Sequence, residues 1–207
     1  MRNLTKLLKR KVMNEMVLSP FETNKYRVSS PYGQRTLNGK SEFHSGVDLV
    51  GDGTKAVCAV CDGTVIQSRI VTDKSNLTWQ WGNYVSVQAT DGTVHYYCHL
   101  DSRAVKTGDK VTKGQRLGIM GNTGYSFGAH LHFEVRRSNK AINAADYLGI
   151  PNKTGKYNVR TLNAELYVDK IIEKVGFTKP ADVKTALLGV KHNCPDDLYR
   201  KIYEKMK

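Results

Sequence analysis

At 207 residues, 40% of them apolar and 25% charged, the chain is long enough to bury one core of ordinary size and too apolar to be a disordered segment. Its formal net charge of +13 is uneven: residues 1–40 carry nine Lys/Arg against two Glu, residues 151–207 twelve against seven, and residues 41–150 eleven against ten. Basic flanks around a nearly neutral middle favour a polyanionic partner such as an anionic cell wall, nucleic acid or a membrane surface, or else are a solvated lysine surface. The middle lacks an aromatic-basic stacking pattern and no DNA-reading motif occurs, which excludes a nucleic-acid reader.

Residues 1–24 read as a basic helical lead-in that begins Met1-Arg-Asn-Leu-Thr-Lys-Leu-Leu-Lys-Arg-Lys11 and ends near Ser19-Pro20. Asn14 and Glu15 interrupt the apolar residues behind the basic run, so there is neither the h-region of about 7–15 residues that a signal peptide needs nor the roughly 20 of a membrane span. The chain is therefore expected to be made in the cytosol and to reach any extracellular substrate by lysis or export.

From Arg27 the texture changes to short alternating runs punctuated by glycine. Val57–Ile66, Tyr84–Ala89, Thr93–His99, Arg116–Met120 and His130–Arg136 are each β-rich and bounded by Gly, Asp or Asn. Closely spaced short strands with turn signals predict a mainly β domain over residues 25–150, an antiparallel sandwich or barrel. Nothing between Ser30 and Asn143 has the period of a long helix. Ser68–Trp81 reads as an insertion between strands, whose Trp79 and Trp81 either line a groove or pack the loop onto the body.

A polar linker over 151–158 follows, with Asn152-Lys-Thr-Gly-Lys156, and then a small helical module over 159–207. Val168, Ile171, Ile172 and Val175 keep helical spacing before Gly176, and two further helices fit Pro180–Val190 and Pro195–Met206. Its position and basic charge suggest wall binding.

The four cysteines do not make a disulfide framework in a chain of this length. Cys58 and Cys61 form a CxxC, but in a strand residues three apart face opposite ways, and no second CxxC completes a thiolate zinc site. They read as buried core thiols.

Most of the six histidines fall in three short clusters. His44-Ser-Gly-Val-Asp48 and His130-Leu-His132 supply imidazoles and a carboxylate, the donors of catalytic zinc sites, which take three protein ligands and keep one position for water. Tyr97-Cys98-His99-Leu100 adds another imidazole. In a strand His130 and His132 share a face, so such a pair either binds one metal together or divides binding from proton transfer. Spacing alone does not say which is the ligand.

These segments resemble the lysostaphin-type zinc endopeptidases that cut peptide cross-links of bacterial peptidoglycan. The likeness runs in order through Ser30-Pro-Tyr-Gly-Gln-Arg35, Phe43-His-Ser-Gly-Val-Asp48, Asp62-Gly-Thr-Val65, Gly82-Asn-Tyr-Val85, Tyr97-Cys-His-Leu100, Val105-Lys-Thr-Gly-Asp-Lys-Val111, Gly121-Asn-Thr-Gly124 and Gly128-Ala-His-Leu-His-Phe-Glu134. The resemblance implies a sandwich-like antiparallel β fold of the duplicated-hybrid-motif kind. It also implies Zn2+ held by His44, Asp48 and His132, with His99 and His130 as the catalytic pair. With no signal peptide, it suggests a phage lytic enzyme of the endolysin kind; the rival is a catalytically silent wall-binding or virion-associated module of the same fold. Thr36–Phe43 lacks the tyrosine that some relatives carry ahead of the first ligand histidine. His95 shares strand parity with His99 and reads as a surface residue or a neighbour of the site, and His192 as plain surface.

Overall fold

The computed structural model describes residues 19–159. In chain order its strands are β1 Lys25–Ser30, β2 Gly33–Leu37, β3 Lys40–His44, β4 Val47–Gly51, β5 Ala56–Cys58 and β6 Gly63–Ile70. A 3-10 turn, Leu77–Trp81, precedes β7 Asn83–Ala89, β8 Val94–Arg103, β9 Lys110–Val111, β10 Arg116–Met120, β11 Leu131–Arg137 and β12 Lys140–Ile142. The short helix α1, Ala144–Leu148, and β13, Gly155–Asn158, complete the order. Among the described residues no helix is long and apolar enough to cross a membrane.

Period-2 patterning builds one large sheet, ordered β13-β1-β4-β11-β8-β7-β6-β9, with β5, β10 and β12 off that path. The pairings whose register is resolved are antiparallel. In β11, Leu131, Phe133 and Val135 are fully buried on one face, leaving His132, Glu134 and Arg136 for the other. In β4, Val47 and Leu49 go inward, and Asp48 and Val50 outward. Register then assembles the site: His132 lies opposite Asp48 on one side and Cys98 on the other, and Asp48 lies opposite Ser30. The β2–β3 hairpin forms a separate two-stranded sheet that ends on His44.

The sheet is open rather than a barrel. Strands β13 and β9 terminate its path without meeting, so the barrel alternative falls and an antiparallel sheet fold stands. The run expected over Val57–Ile66 is broken at Ala59–Asp62 into β5 and β6, because Ala59 and Val60 leave the ladder to pair with Gln115 and with the Tyr97 hydroxyl. Of the lead-in, residues 19–24 are described and are not helical: Phe21 is buried and bridges Val57, and the Cys58 amide donates to the Pro20 carbonyl. Residues 151–158, expected as a linker, include β13 next to β1. The helices expected within 1–18 and 160–207, with Cys194 and His192, lie outside the described residues.

Candidate metal centre

His44 closes β3, Asp48 stands in β4 and His132 in β11, so three strands bring the three side chains together, each buried. His44 Nε2, Asp48 Oδ1 and His132 Nδ1 form a triangle with edges of 3.1, 3.0 and 3.0 Å. Donors around a tetrahedral zinc at 2.0–2.1 Å stand about 3.3 Å apart, within a few tenths of these edges.

The hydrogen bonds behind these atoms explain why a cation fits. His44 Nδ1 lies 2.7 Å from the Pro31 carbonyl and His132 Nε2 3.4 Å from a Glu134 carboxylate oxygen. Those oxygens only accept, so each nitrogen carries the ring proton and the other nitrogen of the neutral imidazole is a bare lone pair. Two lone pairs and a carboxylate oxygen thus face one another at hydrogen-bond distance with no proton among them, an arrangement that a cation resolves. A proton can take the same place: burial lowers the pKa of His132, but hydrogen bonds to Asp48 and Glu134 outweigh it and carry it up to about 9. Burial likewise raises Asp48, yet the imidazoles of His130, His132 and His44 set against it prevail and hold its carboxyl far below the usual range. Ion and proton therefore compete for one site.

Around the triangle stand groups that the sequence reading did not single out. Arg35, in β2, donates from Nη1 to Asp48 Oδ2 at 3.2 Å and to Ser30 Oγ at 2.8 Å, while its Nε donates to Glu42 at 2.7 Å. It holds one oxygen of Asp48 and so turns the other inward. Glu134 is fully buried; it accepts from His132, from Ser45 Oγ at 2.8 Å and from Arg136 Nε. Burial raises its pKa, but His132 and Arg136 prevail and keep it lowered. A carboxylate behind a ligating histidine fixes tautomer and ring angle. Glu134 was legible, two residues from His132 on the same strand face; nothing in the sequence pairs Arg35 with Asp48.

His99 and His130 complete the ring. His99 Nδ1 donates to the Thr123 carbonyl at 2.8 Å and His130 Nδ1 to the Gly128 carbonyl at 2.7 Å, which turns Nε2 of each toward the cleft. Their ring centroids are 4.7 Å apart, and His99 lies 5.8 Å from His132. His130 Nε2 stands 3.4 Å from Asp48 Oδ1. Burial, with His132 and His130 alongside, lowers the pKa of His99 to about 3, so it is neutral at neutral pH. His99 has φ of +63°, a conformation uncommon for non-glycine residues and held here inside a strand rather than in a turn. All five residues expected at the site are here.

His95 is not. It is fully buried on the core side, 3.1 Å from Cys61 Sγ and against Phe133 and Tyr147. The expected shared parity with His99 fails because the left-handed residue at 99 breaks the alternation of β8. Cys58 and Cys98 are buried free thiols, and Cys61 is half-buried.

The centre opens into a cleft of about 760 Å³ lined by all five site residues, a size typical of small-molecule and peptide sites. Arg27 and Val50 line it on the β1–β4 side, and Trp81, Tyr125 and Phe127 are among its other walls. Trp81 thus serves both expected roles: it packs on Tyr84 and Tyr96, with Arg136 over its ring, and it walls the groove. Trp79 stacks edge-on against Tyr125.

The family described as peptidase family M23 matches residues 42–144. The catalytic domain of the antimicrobial peptidase lysostaphin from Staphylococcus simulans shares 32% identity and a TM-score of 0.51, the match covering 59% of this chain and 92% of that one. The chain belongs to peptidase family M23. Over 111 residues it is 37% identical to the peptidoglycan DD-endopeptidase ShyC of Vibrio cholerae, covering 52% of this chain and 24% of ShyC. It is 31% identical over 113 residues to the murein hydrolase activator NlpD of Escherichia coli, covering 55% of this chain and 28% of NlpD. The chain thus spans less than a third of the length of these two relatives.

Proposed function

We propose that this M23 domain is a zinc-dependent endopeptidase that hydrolyses the peptide cross-links of bacterial peptidoglycan. The observation that carries the reading is the complete constellation: two imidazole nitrogens and a carboxylate oxygen that converge, with the ring protons of His44 and His132 turned outward, and beside them His99 and His130, whose Nε2 atoms share the cleft. Bound among His44, Asp48 and His132, zinc supplies Lewis acidity that activates water and polarises a peptide carbonyl. Asp48 brings the negative charge, steadied by Arg35, and Glu134 keeps the His132 lone pair aimed. His99, neutral and pinned through Nδ1 to Thr123, accepts the proton that the attacking water gives up, and His130, pinned through Nδ1 to Gly128, takes up a proton at Nε2 and delivers it to the leaving amine. Tyr125, not a residue of Thr36–Phe43, is the tyrosine that the cleft offers to a developing oxyanion.

The same reading places the action at the wall, reached by lysis or export, with the basic flanks and the module over 159–207 drawing the chain to anionic polymers in a lytic role. The rival, a non-catalytic wall-binding protein, draws on the likeness to NlpD. Turbidity of purified walls separates the two: clearing is expected with zinc, lost with chelator and restored by added zinc. His99→Ala should keep zinc bound and lose clearing. A zinc-loaded chain that binds walls and releases no peptides overturns the enzyme reading.

A further inference from the structure

We infer that Arg27 is a carboxylate-recognition residue of the cleft, so that the preferred peptide carries a free carboxylate two or three residues from the bond that is cut. The inference rests on the peptidase reading above and adds a substrate class to it.

Strand alternation aims the residue. Tyr26 and Val28 of β1 are buried, which leaves Arg27 and Ser29 on the cleft face, and both line the cleft. Register fixes the distance: Arg27 lies opposite Val50, two residues from Asp48 on the same face of β4. One two-residue pleat is about 6.8 Å and neighbouring strands stand about 4.8 Å apart, so the Arg27 backbone is about 8 Å from that of Asp48. An extended peptide rises about 3.3 Å per residue, which sets the spacing at two to three residues. The backbone is firmly held, because β1 pairs with β4 and β4 with β11.

Charge accounting singles out the same residue. Two arginines line the cleft. Arg35 is committed to Glu42, Ser30 and Asp48, whereas Arg27 is exposed and makes no hydrogen bond or ion pair with any described residue. Glu42, the lining carboxylate that is not a ligand candidate, is neutralised by Arg35. One uncompensated guanidinium therefore stands on the β1 side. Elsewhere the lining includes the uncharged aromatics Trp81, at the end of the turn before β7, and Tyr125 and Phe127, in the loop between β10 and β11. A guanidinium fork matches a carboxylate in two parallel hydrogen bonds, which a lysine does not reproduce. Peptidoglycan stem peptides offer such a group in the α-carboxylate of their glutamyl residue, free in some walls and amidated in others.

The test uses two muropeptide dimers that differ only in whether that carboxylate is free or amidated. They are titrated by calorimetry into the zinc-loaded full chain carrying His99→Ala, so that bound peptide is not turned over. The free-acid dimer is expected to bind about tenfold or more tightly than the amide. Arg27→Gln should erase that difference with the amide unaffected, and Arg27→Lys should restore only part of it. Equal binding of the two dimers, or equal weakening of both by Arg27→Gln, overturns the assignment, as does no binding of either. Failure of the unmutated chain to cleave either dimer instead overturns the peptidase reading, and binding still decides the role of Arg27.

Discussion

Gly46, between the first two ligand candidates, stands where the fold leaves no room for a side chain. A Cβ at this position would lie 2.6 Å from the Phe133 carbonyl oxygen and 2.8 Å from both Cε1 and Nε2 of His132. Ordinary carbon–oxygen and carbon–carbon contacts begin near 3.3 and 3.5 Å, so Gly46→Ala demands about 0.7 Å of relief from each neighbour. The carbonyl belongs to β11, whose pairing with β4 runs through Phe133 and Val47, and it cannot retreat without opening that ladder. The His132 ring gives more easily, but turning it breaks the 3.4 Å contact with Glu134 and takes Nδ1 out of the triangle. Overpacking of this kind costs about 1–3 kcal/mol, or roughly 3–10 °C in Tm at this chain length. Disturbing the partner behind a metal ligand costs about 10–100-fold in affinity. Zinc Kd from competition with a chromophoric chelator, and calorimetric Tm with and without zinc, measure both. Because the strain falls on a ligand, the zinc-induced rise in Tm should shrink in Gly46→Ala. An unchanged Kd, with both Tm values lowered equally or not at all, would refute the reasoning.

Glu134→Gln keeps the volume but not the charge that aims His132, and is expected to weaken zinc binding about 10–100-fold in the same competition assay. Arg35→Met frees the second oxygen of Asp48; zinc affinity should fall again, while Arg35→Lys, lacking the fork that also grips Glu42, should not restore it. His95 gives a pH dependence away from the metal. Burial lowers its pKa to about 4 despite the raising effect of Asp91, so between about pH 6.5 and pH 4 the unfolded chain binds the proton that the folded one refuses. Stability is therefore lost as the pH falls through that window, by up to about 3 kcal/mol. His95→Gln should flatten the slope of Tm against pH there, and an unchanged slope would show that His95 does not carry it.

Much of this was legible because it depends on side-chain parity. The alternation of β4 and β11 puts Asp48 and His132 on one face, a parity that can be read from the apolar neighbours of each, whereas HxxxD spans the turn from β3 to β4. Glu134 follows by the same rule. Arg35 does not, since its grip on Asp48 depends on how the separate β2–β3 hairpin lies against the large sheet, and no local pattern encodes a packing angle. The break of Val57–Ile66 was hidden for a similar reason: the residues keep β character, but their hydrogen-bond partners at Gln115 and Tyr97 lie far along the chain.

His99 shows where parity misleads. Regular alternation through β8 would send residue 99 to the side of His95 and Tyr97, both buried in the core, and the cleft would lack one of its imidazoles. The positive φ at His99 coincides with a slip in register on the β7 ladder, between Asn83 and Val85, and a second slip, on the β10 ladder, follows at Asp101. A one-residue slip turns a side chain to the opposite face. The irregularity brings the ring over to His130 and His132, and the Thr123 carbonyl then fixes its tautomer. Left-handed backbone at a histidine costs on the order of 1 kcal/mol or more. The fold sustains it where the strand places both a buried aromatic at Tyr97 and an imidazole in the cleft two residues later, which strict alternation cannot supply together.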